Sequence, residues 1–341
     1  MKIGLSYNIK KEPHPDEPYD AFVEYDSKET ISAIARAINS MGHTVIALGE
    51  GKSFLWHILS RDLDLVFNIA EGVGNSRGRE AQVPAVLEML GIPFSGSDSQ
   101  CLAICLDKPL TKKIVSLSGV NTPEWSVISD IQELEDMKWD RLRFPIFVKP
   151  AYEGSSKGVS SDSKANTPEE ASTVIEKILS TYHEPALVEE FIEGDEVTVG
   201  IIGNSPPEIL GIMRVLPKNQ GSMIYSRENK EDWQTRLEYE CPARLGVETT
   251  NKIKEASLIV YETLGCRDFA RLDFRVNKRG EPYFLEINPL PGLDPVNSDL
   301  VIMANKVGLS YEELISRILN STLQRINKAT VRNNPLGLFL S

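Results

Sequence analysis

The sequence predicts an α/β protein with a doubly wound, parallel-sheet lobe at its N-terminus and further α+β structure behind it. Three observations carry this. Short apolar runs at residues 3–7, 44–48 and 65–69 lack polar alternation, as strands buried on both faces do. Amphipathic stretches alternate with those runs. At 341 residues the chain is also too long for one ordinary core.

Each element has its own signal. Asp26-Ser27-Lys28-Glu29 reads as a capping box that opens a helix through Ile31, Ile34, Ala35 and Ile38, closed by Gly42. Residues 83–90 form another helical stripe, ended by Gly91 and Pro93. A second lobe opens near Asp107-Lys108 with a helix over 107–117 and the connector Gly119-Val120-Asn121-Thr122-Pro123. Strands are expected at 144–150, 186–192 and 196–202. After a polar stretch from 217 to 240 come a helix over 249–264 and strands at 269–276 and 282–288, joined by the turn Asn277-Lys278-Arg279-Gly280. A final helix covers 311–319, and the last ten residues read as a loosely held tail.

Composition narrows the function. A hydrophobic fraction of 41% with 25% charged residues fits a folded globular chain. No apolar run approaches the roughly 20 residues of a membrane helix, and the first residues read as a strand rather than a signal peptide. A cytoplasmic protein is therefore expected, with no membrane partner. The net charge of −12 argues against nucleic acid, which needs clustered Lys and Arg. Cys101 and Cys105 would share one helix face, while Cys241 and Cys266 stand alone, so the four cysteines read as reduced, mostly buried thiols. His14, His43, His57 and His183 show no ligand spacing.

The most informative stretch is Ala270-Arg271-Leu272-Asp273-Phe274-Arg275-Val276 with Tyr283-Phe284-Leu285-Glu286-Ile287-Asn288. Period-two alternation sends Ala270, Leu272, Phe274, Val276, Leu285 and Ile287 to a core. Arg271, Asp273, Glu286 and Asn288 then share the opposite face. Hard oxygens at this density suit Mg²⁺, and Arg271 could hold a phosphate oxygen or a developing oxyanion. The plainer alternative is a solvated hairpin face with a surface ion pair.

Two further segments point to a nucleotide. A strand ending at Lys149 runs into Glu153-Gly154-Ser155-Ser156-Lys157-Gly158, where successive N–H groups could cradle phosphates beside the lysine's charge. The alternative is a mobile surface loop. The acidic strand Leu187-Val188-Glu189-Glu190-Phe191-Ile192 followed by Glu193-Gly194-Asp195-Glu196 also fits two readings. It could be a charged edge strand, or backbone groups of Glu190–Ile192 could read an adenine edge while a carboxylate takes ribose hydroxyls. A second glycine loop, Gly72-Val73-Gly74-Asn75-Ser76-Arg77-Gly78, is too loosely spaced for the dinucleotide fingerprint.

Together these segments resemble the D-alanine–D-alanine ligase branch of the ATP-grasp superfamily, in the family's order from about residue 65 to 319. The matching pieces include Leu106-Asp107-Lys108, Val148-Lys149-Pro150, Val188-Glu189-Glu190, Cys241-Pro242-Ala243, Arg271-Leu272-Asp273 and Glu286-Ile287-Asn288. The resemblance implies an N-terminal lobe over 1–105, a central lobe over 106–185 and a C-terminal lobe over 186–325, with a tail over 326–341. ATP would be clamped between the last two lobes. Lys108 and Lys149 would contact its phosphates, with Gly154 and Ser156 of the loop and Lys230 of a lid. Glu189, Glu190, Ile192 and Glu196 would serve adenine and ribose. Asp273, Glu286 and Asn288 would hold two Mg²⁺ ions, with Mn²⁺ as a substitute. Arg271 would stabilise the tetrahedral intermediate and Ser155 would help place substrate. Glu24, Gly292, Asn297 and Ser298 are the substrate candidates, and a homodimer is compatible with the family.

The departures fall at the substrate end. The family's glycine pair and glutamate loop have no counterpart in residues 7–26, where Glu12, Asp16, Glu17, Glu24 and Asp26 stand instead. Lys230 is followed by Glu231-Asp232-Trp233 in place of a lid tyrosine, and the segment for the second carboxylate gains Asp294 and Asp299. The leading expectation is therefore a carboxylate–amine ligase for amino-acid or peptide-like substrates other than two D-alanines. The competitors are a true D-alanine–D-alanine ligase and a nucleotide-binding regulator without catalysis; the intact Arg271, Asp273, Glu286 and Asn288 disfavour the last.

Overall fold

A computed structural model describes residues 1–218 and 233–333. β1 (Lys2–Tyr7), β2 (Thr44–Gly49) and β3 (Leu65–Ile69) form a parallel sheet in the order β2-β1-β3. Every residue of β3 is buried, as its unbroken apolar run requires. α1 (Lys28–Ser40) is capped by Ser27, whose hydroxyl accepts from the Thr30 N–H. The expected reciprocal bond from Glu29 does not form, because Glu29 is exposed one position early; the Thr30 hydroxyl instead lies 2.9 Å from Ser27 Oγ. α2 (Gly51–Ser60), α3 (Gln82–Leu90) and α4 (Ser99–Leu106) complete this part, α3 ending on Gly91 at φ 66°.

Asp107 separates α4 from α5 (Lys108–Leu117), and its side chain accepts from the Leu110 N–H to start the second helix. β4 (Trp125–Ile128), β5 (Ile146–Pro150), β6 (Lys164–Ala165) and β7 (Ala186–Glu190) form an antiparallel sheet, order β4-β7-β5-β6. α6 (Pro168–Tyr182) packs Ala171, Val174, Ile175 and Ile178 onto Ile146, Val148, Ala186 and Val188. Alternation turns Phe147, Lys149, Leu187 and Glu189 to the other face of that sheet.

The third sheet joins β8 (Gly194–Ile202), β9 (Glu208–Pro217), β10 (Leu237–Glu240), β11 (Phe269–Asn277) and β12 (Pro282–Asn288) in the antiparallel order β10-β9-β8-β11-β12. The helices here are α7 (Trp233–Arg236), α8 (Val247–Thr263), α9 (Asp299–Lys306) and α10 (Tyr311–Asn333). α10 continues through residue 326, where a tail was expected to begin, because Leu323 and Ile326 extend the face that Leu314, Ile315, Ile318 and Leu319 bury against β1 and α1. No helix among the described residues is long and apolar enough to cross a membrane.

Two expectations need correction. The register between β11 and β12 slips after Asp273: Asp273 faces Glu286, but Phe274 faces Phe284. A bulge at Leu285 absorbs the extra residue, so Phe284 fills the core and Leu285 turns to the cleft with Glu286. Cys266 does not stand alone either. Its Sγ lies 3.6 Å from that of Cys101, which is 3.9 Å from that of Cys105, inside the main core.

Candidate functional site

A cleft lies between the free face of the β5/β7 sheet and the polar face of β11/β12. Lys149 and Glu189 enter it from adjacent strands, with Lys149 Nζ 2.9 Å from Glu189 Oε1 and 3.5 Å from Glu286 Oε2. Lys112 of α5 approaches the other Glu189 oxygen at 2.7 Å, and Lys108 stands 4.0 Å from Glu286. Burial raises the Glu189 pKa, but the two lysines outweigh it and hold the carboxyl below its usual range. Lys149 is pushed up in turn: burial lowers it, and Glu189 and Glu286 more than restore it. Glu189 is thus occupied by two lysines and positions Lys149; it presents no carboxylate edge to a ribose.

One end of the cleft gathers Phe147, Phe191, Glu190, Ile192 and Glu196. The Glu190 carboxylate points outward to Arg143, 2.7 Å away. Its N–H bonds Glu124 O, and the Phe191 N–H bonds Pro145 O. Arg275 belongs to this wall and was missed. It donates to Ile192 O (2.5 Å) and Gly194 O (2.9 Å), pairs with Glu196 (3.0 Å), and lies 4.4 Å from the Phe191 ring centroid. Extending the alternation of Arg271 and Asp273 by one more pair would have found it.

Opposite the lysines, β11 and β12 hold Arg271 across from Asn288 and Asp273 across from Glu286. Thr198 donates to Asp273 Oδ1 at 2.8 Å. Arg271 donates to Asp273 from Nη2 at 2.9 Å and lies 3.5 Å from Asp299, so three acids, counting Glu286, raise its pKa against the effect of burial. Asn288 Oδ1 accepts from the Leu290 N–H, which fixes its oxygen beside the hairpin end. The donor set is hard oxygen only, beside lysines that suit phosphate. It fits Mg²⁺.

The glycine loop is latched to the N-terminal lobe rather than open. Gly154 N–H donates to Glu24 Oε1 (2.6 Å) and Gly158 N–H to Asp20 Oδ2 (2.9 Å). Gly158 is at φ 71°, and a Cβ there would fall 2.5 Å from Pro150 Cγ, so glycine is required. Ser155 and Ser156 take positive φ of 50° and 59°. Ser156 lines the cleft, while Gly154 and Ser155 lie in the latch beside it. Arg79, also missed, anchors the junction: it reaches Glu24 at 2.6 Å, Glu153 at 2.7 Å and Tyr152 O at 2.9 Å. Its only signal in the sequence was a basic pair, Arg77 at the end of the second glycine loop and Arg79 just after it.

The substrate candidates separate. Glu12, Asp16 and Glu17 are exposed, and only Asp20, Glu24 and Asp26 turn inward. Asp294 organises its own segment, accepting from Val296 and Asn297 N–H and from the Thr30 hydroxyl, while Ser298 Oγ accepts from Asp294 N–H. Gly292 packs beside Ser298. Asp299 is buried against Arg271, so it braces that arginine and does not face a second-substrate carboxylate as expected. Burial and the neighbouring Asp294 raise Asp26 to about 7. Lys230, Glu231 and Asp232 lie outside the described residues.

Comparison with known proteins agrees with this geometry. Residues 114–320 match the family described as the D-ala D-ala ligase C-terminus. An uncharacterized protein of Sinorhizobium fredii is 31% identical over 92% of this chain and 91% of its own length. The D-alanine–D-alanine ligase of Aquifex aeolicus is 34% identical over 86% of this chain and 94% of that one. The structure of the Bacillus anthracis D-alanine–D-alanine ligase complexed with ATP has the same fold, with a TM-score of 0.73 over 97% of this chain and 99% of that one at 24% identity. The chain belongs to the D-alanine–D-alanine ligase family and is an ATP-grasp ligase that forms carbon–nitrogen bonds.

Proposed function

We propose that this ligase joins the carboxylate of one amino-acid or peptide-like substrate to the amine of another through an acyl phosphate, releasing ADP and phosphate, and that two D-alanines are not its physiological pair. The cross-strand placement of Arg271–Asn288 and Asp273–Glu286, facing Lys149 and Lys108, is the observation that carries the chemistry. A carboxylate attacks a γ-phosphate only when cations offset the approaching charges. Lys108 and Lys149 would serve the phosphates, and Arg271 the oxyanion that forms when the amine attacks. Asp273, Glu286 and Asn288 would hold Mg²⁺, which supplies Lewis-acid neutralisation of phosphate charge. Ser155 would help place substrate, and the latched loop beside it would help keep water from the acyl phosphate. The lobe limits near residues 105 and 185 fit this division of labour.

The substrate end supports the second half of the proposal. The carboxylate that would hold a first ammonium, Glu24, already faces Arg79 and the Gly154 N–H, while Asp26 and Asp294 stand together beside it. Such a site suits a larger or more cationic amine than D-alanine. The second reading, a true D-alanine–D-alanine ligase, is favoured by the name of the Aquifex aeolicus relative. A screen of amino acids and dipeptides with hydroxylamine as acyl-phosphate trap tests both. Hydroxamate should form with a substrate other than D-alanine. A kcat/KM for D-alanine of roughly 10⁴ M⁻¹s⁻¹ or above would favour the second reading.

A further inference from the structure

Away from the cleft, three sulfurs converge. Cys101 and Cys105 share one face of α4, and Cys266 follows the glycine that ends α8. All three are buried, their Sγ atoms lie within 4.8 Å of one another, and two of the separations are 3.6 and 3.9 Å. A disulfide needs sulfurs about 2.05 Å apart, so these are three separate thiols. An ion bound tetrahedrally at about 2.3 Å from sulfur sets its thiolates about 3.8 Å apart. The observed spacings bracket that edge.

We propose that Cys101, Cys105 and Cys266 form a binding site for a soft, thiophilic divalent ion of the Zn²⁺ and Cd²⁺ class, separate from the Mg²⁺–ATP cleft. Sulfur donors favour such ions over hard Mg²⁺. Cys101 sits in the first turn of α4, three residues after its N-cap Asp98, where helix N–H groups favour a thiolate. Ser97 is fully buried with its hydroxyl against Cys101, an oxygen at hand for a fourth position. Binding replaces three S–H protons by one dication, so three protons leave and the site gains a net charge of −1. Arg267, next in sequence to Cys266, is the nearby cation. It pairs with Asp98, and both are partly exposed, which places an entrance at the end of α4. The bound ion would tie α4 to the turn between α8 and β11, the strand that carries Arg271 and Asp273.

The test is anaerobic titration of the reduced, metal-stripped full chain with Cd²⁺ alone and with Co²⁺ alone. One ion per chain, three protons released and a thiolate-to-metal charge-transfer band of three sulfurs are expected. In denaturant enough to let Cys101, Cys105 and Cys266 of the metal-free chain react, bound Cd²⁺ should protect them from alkylation and leave Cys241 reactive. Cys241→Ser should bind as the wild type does, whereas Cys266→Ala and Cys101→Ser should lose the band while ATP still raises their melting temperature. Binding without a charge-transfer band, or a band that survives Cys266→Ala, overturns the proposal. If the variants do not fold, the wild-type proton count and alkylation pattern decide it: release of fewer than two protons, or protection confined to Cys241, overturns it equally.

Discussion

The nucleotide cleft and the junction between the N-terminal lobe and the glycine loop are both dense in buried charge, but they balance it differently. In the cleft, Lys112, Lys149, Arg271 and Arg275 each face an acid at hydrogen-bond or ion-pair distance. Glu189 is consequently held below the usual carboxylate range. At the junction, Arg79 and Lys157 must serve Glu24, Glu71, Glu80, Glu153 and Glu184. Glu24 is buried too but, held by Arg79 and the Gly154 N–H, stays low, whereas burial dominates at Glu80 and Glu184 and pushes both to about 8. Paired charge survives burial as charge, whereas surplus acid survives it by keeping its protons. A cleft of the first kind is set for a polyanion; a junction of the second kind holds its surplus acid in neutral form.

The contrast can be broken from its strongest point downward. Glu189→Ala would leave Lys112 and Lys149 buried without their common partner and should cost about 3–5 kcal/mol of stability, measured by denaturant unfolding. A loss under about 1 kcal/mol would show that the cleft does not depend on paired charge. Glu286→Ala should lower kcat by about a hundredfold or more while the fold persists, since phosphate repulsion is then uncompensated. Turnover at the wild-type rate would remove Glu286 from the metal set. Arg271→Lys keeps the charge but loses the planar fork. It should reduce ligation by roughly ten- to a hundredfold with the ATP dissociation constant little changed; equal loss of both would make Arg271 a structural brace for Asp273 and Asp299.

The smallest effect is the one specific to the junction. The folded pKa of Glu80 is raised to about 8 from 4.5, mainly by burial, so between those values the folded state binds more protons than the unfolded one. Stability should therefore be greatest below pH 4.5 for this group and fall as pH rises through 8. Glu80→Gln should flatten that slope and raise stability at pH 9 by on the order of 1–2 kcal/mol, because neighbouring acids share the effect. Melting curves at pH 6 and 9 would show it, and an unchanged slope would place the protons elsewhere.

Legibility in the sequence follows the same division. The cleft residues sit on regular strands, where alternation and spacing fix the face of Lys149, Arg271 and Asp273 before any tertiary contact is known. Leu285 broke the pattern because a bulge is a property of two paired strands, not of either one. Arg79 opens a single 3-10 turn over Arg79–Ala81, too short for any period to show, and its partners Glu24 and Glu153 are distant in the chain. Glu189 looked like a ribose ligand because nothing local reveals that Lys112 approaches from a helix.

The sequence by itself determined the α/β class, the strands that carry Lys149, Arg271 and Glu286, the glycine that ends α3, and the set of hard-oxygen and lysine groups that a phosphate chemistry needs. These rest on local periodicity and on side-chain chemistry, which travel with the residues. Only the tertiary structure decided which acids are paired and which are surplus, that Asp299 braces Arg271, that the glycine loop is latched by Asp20 and Glu24, and that Cys266 joins Cys101 and Cys105. Each of those joins segments far apart in the chain, and the energy of a buried charge or thiol depends on the neighbour that packing brings to it.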